Sequence, residues 1–280
     1  MQGLHWWDFS RWNGRINGAA IKARGVDGIM SRSTIGTSGV RDIQYENNSR
    51  QADENGLLFG AYGVNWPINR NPELEAEVFV EQAYDPRLPK LPDVLAGDFE
   101  LGARTHKAGH HKISGEELVE QAVRYMRKLR ELLPEILLIL YTGHWFWNDE
   151  KLLPHVGKGE DEFPGWFASY PIDPKQIKYL PPRYSADVLD PREVNPDLEV
   201  KIPIPWTKAN TMAWQWSSKG RGKVDGYQES TFIDRNVLFA PIGPPPPNGG
   251  PTPSERIREA GAIIDEQTAE LDRIANELER

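Results

Sequence analysis

Up to about residue 241, short apolar runs alternate with segments of helical spacing. Residues 26–30 read as a strand. Residues 47–55 read as a helix closed by Gly56, because glycine tolerates the left-handed backbone that ends many helices. Residues 57–62 form the next apolar run. Leu74, Val78 and Phe79 give residues 72–84 a helical period. Residues 93–100 read as a strand ending in acids. Ser114 and Glu117 have the spacing of a capping box, which opens a helix reaching about Leu133. Residues 136–141, 165–169 and 211–217 supply further strands. Such alternation implies an α/β chain with a parallel sheet. Six or more units in this length favour a closed β/α barrel of the TIM type over an open sheet.

The pattern changes after residue 241. Residues 242–253 are rich in proline and glycine, cannot build a core, and read as a linker. Ser254 is placed to cap a helix over residues 254–280. There Ile257, Ile264, Leu271 and Leu278 recur every seven residues, with Ala260, Gln267 and Ile274 between them. This heptad seam predicts either self-association into a homo-oligomer or folding back onto the barrel, and the narrow stripe favours the former. Three regions result: 1–241 a β/α barrel, 242–253 a linker, 254–280 a heptad-patterned helix.

Composition narrows the chemistry. The formal net charge is −8, which argues against nucleic acid, since phosphate binding needs clustered Lys and Arg. The chain has no cysteine, excluding disulfides, thiolate catalysis and Cys-based zinc sites. No apolar run approaches the length that spans a bilayer, so no membrane partner is expected. The start, MQGLHWWDFS, has neither a basic region nor an apolar run, and no secretory signal is read in it. Ten tryptophans offer flat faces for stacking on sugars or bases, with core packing an equal alternative for each.

In a β/α barrel, functional side chains sit where strands end. The strand-end residues here are Asp8, Tyr62, Asp98, Glu100, Tyr141, Trp166, Trp214, Gln215 and Asp234. Asp98 and Glu100 stand at i and i+2. In a strand both would project from one face, roughly 6–7 Å apart at Cα. Neighbouring carboxylates repel, so one keeps a proton near neutral pH. That division into an acid and a charged partner suits glycoside hydrolysis. A solvated strand end or a pair of salt bridges would leave the same Asp-x-Glu trace. His106, His110 and His111 raise a metal site, but a surface loop accounts for them better. Lys219 to Lys223 reads as a basic turn.

Several segments, in order, resemble the muramidases of glycoside hydrolase family 25. They are Trp7-Asp8-Phe9-Ser10-Arg11-Trp12-Asn13-Gly14, the run from Asn55 to Tyr62, and the strand ending Asp98-Phe99-Glu100. Ile139-Leu140-Tyr141-Thr142-Gly143, Trp166-Phe167-Ala168-Ser169-Tyr170 and Trp214-Gln215-Trp216-Ser217-Ser218 follow. Ile233-Asp234-Arg235-Asn236 closes the series. The resemblance covers about residues 3–240. It implies a barrel enzyme that cleaves the β-1,4 bond between N-acetylmuramic acid and N-acetylglucosamine in peptidoglycan, without metal or other cofactor. It implies that Glu100 is the general acid and that Asp98 stabilises the transition state or positions the substrate's acetamido group. Asp8 and Asp234 would be further acids at the barrel mouth. Tyr62, Tyr141 and Trp166 would line a sugar cleft, with Trp214 and Gln215 beside them. Action on the cell wall, outside the cell or carried by a phage, would follow.

Three departures stand out. Gly63 occupies a position where the family usually has His. Ala96-Gly97 interrupts the apolar run before Asp98. Residues 171–208 form a long Pro-rich stretch, expected to insert near the cleft. The first departure, the insertion and the heptad tail motivate the alternatives of a non-catalytic glycan-binding module or a structural, phage-tail-like component. A net negative charge offers no long-range steering towards an anionic wall, though a local basic rim would offset this.

Overall fold

A computed structural model describes residues 4–67, 70–100, 113–148, 152–171, 190–193, 195–220 and 233–239, the side chains of 219 and 220 excepted. The linker, the heptad segment, the three histidines between 106 and 111 and the turn at 221–223 lie outside the described residues. Eight strands close into one barrel in sequence order. They are β1 (Leu4–Phe9), β2 (Gly28–Ile35), β3 (Leu58–Val64), β4 (Val94–Asp98), β5 (Leu137–Gly143), β6 (Gly165–Ala168), β7 (Thr211–Gly220) and β8 (Ile233–Leu238).

The barrel departs from the regular parallel pattern in two ways. First, β8 runs antiparallel to both β7 and β1, while the other neighbours are parallel. Residues 221–232 join β7 to β8, and an antiparallel return needs no crossover helix. Second, among the described residues, regular helices cover only part of the barrel. They are α1 (Gly18–Ala23), α2 (Tyr45–Glu54), α3 (Pro72–Ala83) and α4 (Gly115–Leu132), after which α5 (His144–Trp147) is a single turn. Between β6 and β7 part of the covering comes from residues 195–210, which form turns and extended chain. Trp206 is buried there against Trp147 and Phe167, and its indole N–H donates to the Phe163 carbonyl at 2.9 Å. Part of the 171–208 stretch therefore serves as wall rather than as an addition to the cleft.

The helices α2, α3 and α4 form where the spacing predicts, whereas α1 and α5 were not read from the sequence. In α4, Val119, Ala122, Met126 and Leu129 are buried along one face, the i, i+3, i+7 stripe of an amphipathic helix. Burying a Leu or Met side chain stabilises by about 1.5–3 kcal/mol. The Ser114 hydroxyl accepts from the Glu117 N–H at 3.1 Å. The Glu117 carboxylate pairs with Arg70 at 3.0 Å.

Alternation along the strands divides the core in two. Trp7, Phe9, Ile29, Phe59, Leu95 and Leu138 face the helices. Trp6, Met30, Val94, Ile139, Trp166 and Leu238 fill the barrel interior. The inward positions at the carboxyl ends of the parallel strands are polar instead, and the site forms there.

Candidate active site

Asp8, Asp98 and Asp234 reach the barrel mouth by strand periodicity. In β1, Trp6 and Asp8 face inward while Trp7 and Phe9 face the helices. In β8, Asp234 and Asn236 face inward, and Arg235 lies outside against Trp7 and Trp216. Asp8 and Asp234 are direct partners in the antiparallel register and hydrogen-bond through their side chains. Asp98 is the last residue of β4. Glu100 does not belong to the strand, which ends two residues earlier. The Phe99 N–H still bonds the Tyr141 carbonyl at 2.9 Å, so the chain stays beside β5 long enough to deliver Glu100 to the same cleft.

The cleft, about 510 Å³ of space including its opening to solvent, is lined by Asp8, Tyr62, Asp98, Glu100, Tyr141, Trp166, Tyr170, Gln215, Ser218 and Asp234. All the residues expected from the sequence are brought together except Trp214. Adjacent strand residues point to opposite faces, so Gln215 enters the cleft and Trp214 does not. Trp214 packs with Trp216 and Val237, and its indole N–H donates to the Ser169 carbonyl at 2.6 Å.

Tyr170, Ser218 and Asn236 join the site without having been singled out. Asn236 follows Asp234 by two, the same spacing that groups Asp98 with Glu100, and that signal was available. Ser218 was not legible. Gln215 pairs with Asn236, but Ser217 pairs with Arg235, so Trp216 is an extra residue on β7. This β-bulge reverses the alternation beyond it and turns Ser218 inward.

Hydrogen bonds link the carboxyls. The Trp166 indole donates to Asn236 Oδ1 at 2.8 Å. Asn236 Nδ2 donates to Asp8 Oδ2 at 3.0 Å and to the Trp6 carbonyl at 3.2 Å. Gln215 Nε2 donates to the same Asp8 oxygen at 3.1 Å. Gln215 Oε1 lies 2.9 Å from the Tyr141 hydroxyl and 2.7 Å from that of Tyr170. Tyr141 also lies 3.2 Å from Glu100 Oε2. Asp98 Oδ1 is buried with no hydrogen-bond partner among the described residues.

Burial dominates the electrostatics. It raises the Glu100 carboxyl to about 7, aided by the charge of Asp8 and opposed by the Tyr141 hydroxyl. Asp98 is raised well above the usual carboxylate range by burial, then by Glu100 and Asp8. Arg32 opposes this, but it is already engaged by Asp42 at 2.6 Å. Asp234 is likewise raised well above its ordinary value, by burial and then by Asp8. Asp8 is raised by burial, and donors from Asn236, Asp234 and Gln215 counter the rise. Of the Asp8–Asp234 pair, Asp234 therefore keeps the proton and Asp8 carries the charge.

The two glycine departures face away from the cleft. Gly63 and Gly97 are register partners on β3 and β4. A Cβ on Gly63 would lie 2.7 Å from the Tyr125 hydroxyl, and one on Gly97 would lie 2.7 Å from Met126 Sδ and 3.1 Å from Tyr125. Aromatic packing from α3 and α4 fills the space of both missing side chains.

The sequence profile of glycosyl hydrolases family 25 matches residues 7–225. A bacterial lysozyme from Streptomyces coelicolor is similar over 86% of this chain and 94% of its own, at 19% identity and a TM-score of 0.63. The catalytic domain of endolysin ply40 from Listeria monocytogenes bacteriophage P40 is similar over 86% of this chain and 95% of its own, at 21% identity and a TM-score of 0.58. A family GH25 lysozyme from Aspergillus fumigatus gives 86%, 95%, 19% and 0.60 in the same order. At such identities the likeness is one of fold. No curated protein sequence matches.

Proposed function

Because the chain belongs to glycosyl hydrolase family 25, we propose that it is a muramidase, hydrolysing the β-1,4 bond between N-acetylmuramic acid and N-acetylglucosamine in peptidoglycan. One observation carries the reading. Glu100 sits in the carboxyl-lined cleft with its proton held to about pH 7. A carboxyl protonated at neutral pH can donate to a glycosidic oxygen as the bond breaks. The nearby ionised Asp8 stabilises positive charge developing on the sugar.

Asp98 serves as the orienting group. It lines the cleft, and its Oδ1 lacks a donor among the described residues. A buried acceptor left unmatched costs free energy, on the order of 1–3 kcal/mol, and a substrate N–H would satisfy it. An acetamido group held there turns its carbonyl oxygen towards the anomeric carbon, favouring retention. Tyr62, Tyr141 and Trp166 offer aromatic faces to the sugar rings. The alternative of a non-catalytic glycan-binding module drew partly on Gly63, and that residue faces Phe79 and Tyr125, so its departure removes nothing from the cleft.

The test is release of reducing ends and loss of turbidity from purified peptidoglycan, comparing the wild type with Glu100→Gln. Loss of a general acid lowers the rate by roughly a hundredfold or more. Equal rates in the two proteins, or no hydrolysis of any wall by the wild type, would reject the assignment.

A further inference from the structure

The direction of each hydrogen bond in the cleft can be worked out from groups that can only donate or only accept. The Trp166 indole N–H can only donate, so the Asn236 atom facing it at 2.8 Å is the carbonyl oxygen. The Asn236 amide nitrogen is then turned to Asp8 and to the Trp6 carbonyl, and Asp8 Oδ2 accepts. Gln215 meets the same oxygen at 3.1 Å through its nitrogen. Its own Oε1 therefore faces the two tyrosines and can only accept.

A phenol has one proton. With Tyr141 donating to Gln215 at 2.9 Å, its oxygen is left as an acceptor towards Glu100 Oε2 at 3.2 Å. The proton between Tyr141 and Glu100 must then come from Glu100. Tyr141 favours the ionised form of Glu100 only when it donates to the carboxylate, and to do so it has to withdraw its proton from Gln215.

We propose that Gln215 is a positioning residue, which acts through Tyr141 to set the direction of a hydrogen-bond chain from Asp8 to Glu100 and so holds Glu100 in its proton-donating form. Gln215 is thereby committed to the protein on three sides, rather than free to bind sugar as the sequence suggests. The proposal rests on Glu100 being the acid. The titratable groups acting on Glu100 are Asp8 from β1, Asp98 from β4, Tyr141 from β5, Tyr170 after β6 and Asp234 from β8. Replacing Gln215 by an uncharged residue leaves all of them in place.

Gln215→Met keeps the length of the side chain and removes the carbonyl acceptor. Tyr141 is then released to donate to ionised Glu100. The basic limb of the kcat/KM profile on peptidoglycan should move to lower pH by about one unit, the scale of a single hydrogen bond to a charged group. In a Tyr141→Phe background the same substitution should move it no further. A basic limb that stays in place while kcat falls, or equal shifts in both backgrounds, would overturn the proposal. Should Gln215→Met fail to fold, neutron diffraction of the wild type below pH 7 decides the matter. Tyr141's hydroxyl proton should lie towards Gln215, and density towards Glu100 refutes the chain. The neutron map requires no turnover, so a wild type without hydrolytic activity would reject the muramidase reading and still leave the direction of the chain measurable.

Discussion

The Asp8–Asp234 pair shows how two identical side chains acquire different tasks. They face each other across an antiparallel register and share a hydrogen bond. Asp8 receives amide donors from Asn236 and Gln215, and Asp234 holds the proton. An asparagine mimics a protonated aspartate far better than an ionised one. Asp234→Asn should therefore retain most of the activity, while Asp8→Asn should lose about tenfold or more beyond it, the loss of a fixed charge near a developing cation. Steady-state rates of the two variants, at pH 6 on one wall preparation, make the comparison. Equal losses would mean that the proton is not confined to Asp234.

Among the elements, β3, β4 and α4 are matched through missing side chains. Gly63 and Gly97 stand side by side on the outer face of the barrel, and Tyr125 packs over both. Tyr125 also meets Phe99 edge-on at 5.5 Å and stacks with Phe79 at 6.4 Å. It thus supports the backbone that carries Asp98 and Glu100. Gly97→Ala forces a methyl against Met126 and Tyr125. Overpacking of this kind costs about 1–3 kcal/mol. The urea midpoint should fall accordingly, with m unchanged. In contrast, a surface substitution such as Glu131→Ala should leave it nearly unmoved.

Over the whole molecule, the buried acids make stability depend on pH in a specific direction. Glu100 has a folded value of about 7 against an ordinary 4.5. Between these values the folded chain binds a proton that the unfolded chain has released, so stability falls as pH rises through this window. Asp98 and Asp234, also raised, act in the same sense. Asp85 acts oppositely. Arg87, with Arg41, holds its carboxyl well below the ordinary 3.8, so that contribution is present above about pH 4 and lost in acid. Thermal unfolding should show a maximum between about pH 4 and 6. Glu100→Gln removes one buried ionisation, about 3 kcal/mol. At pH 8 the variant should melt about 6–12 °C above the wild type, and at pH 4 the two should nearly coincide. A variant that melts lower at pH 8 would contradict the burial of a proton on Glu100.

Periodicity and strand ends made much of this protein legible in advance. The apolar runs, the i, i+3, i+7 stripe of α4 and the cap at Ser114 are local properties, determined by side-chain spacing and backbone sterics. The acids at strand ends were visible for the same reason. Other features depended on closure of the barrel. The antiparallel β8 pairs with β1 from the far end of the chain. It makes Asp8 and Asp234 direct partners, which no local pattern announces. The bulge at Trp216 turns Ser218 inward, and a bulge is a relation between two strands. Gly63 read as a loss beside the cleft until its outward face met Tyr125. Gln215 reads as a sugar ligand from the sequence, and closure of the barrel adds contacts of its amide with Asp8, Tyr141 and Tyr170. Spacing along the chain determines what each residue can face, and tertiary closure decides what it meets there.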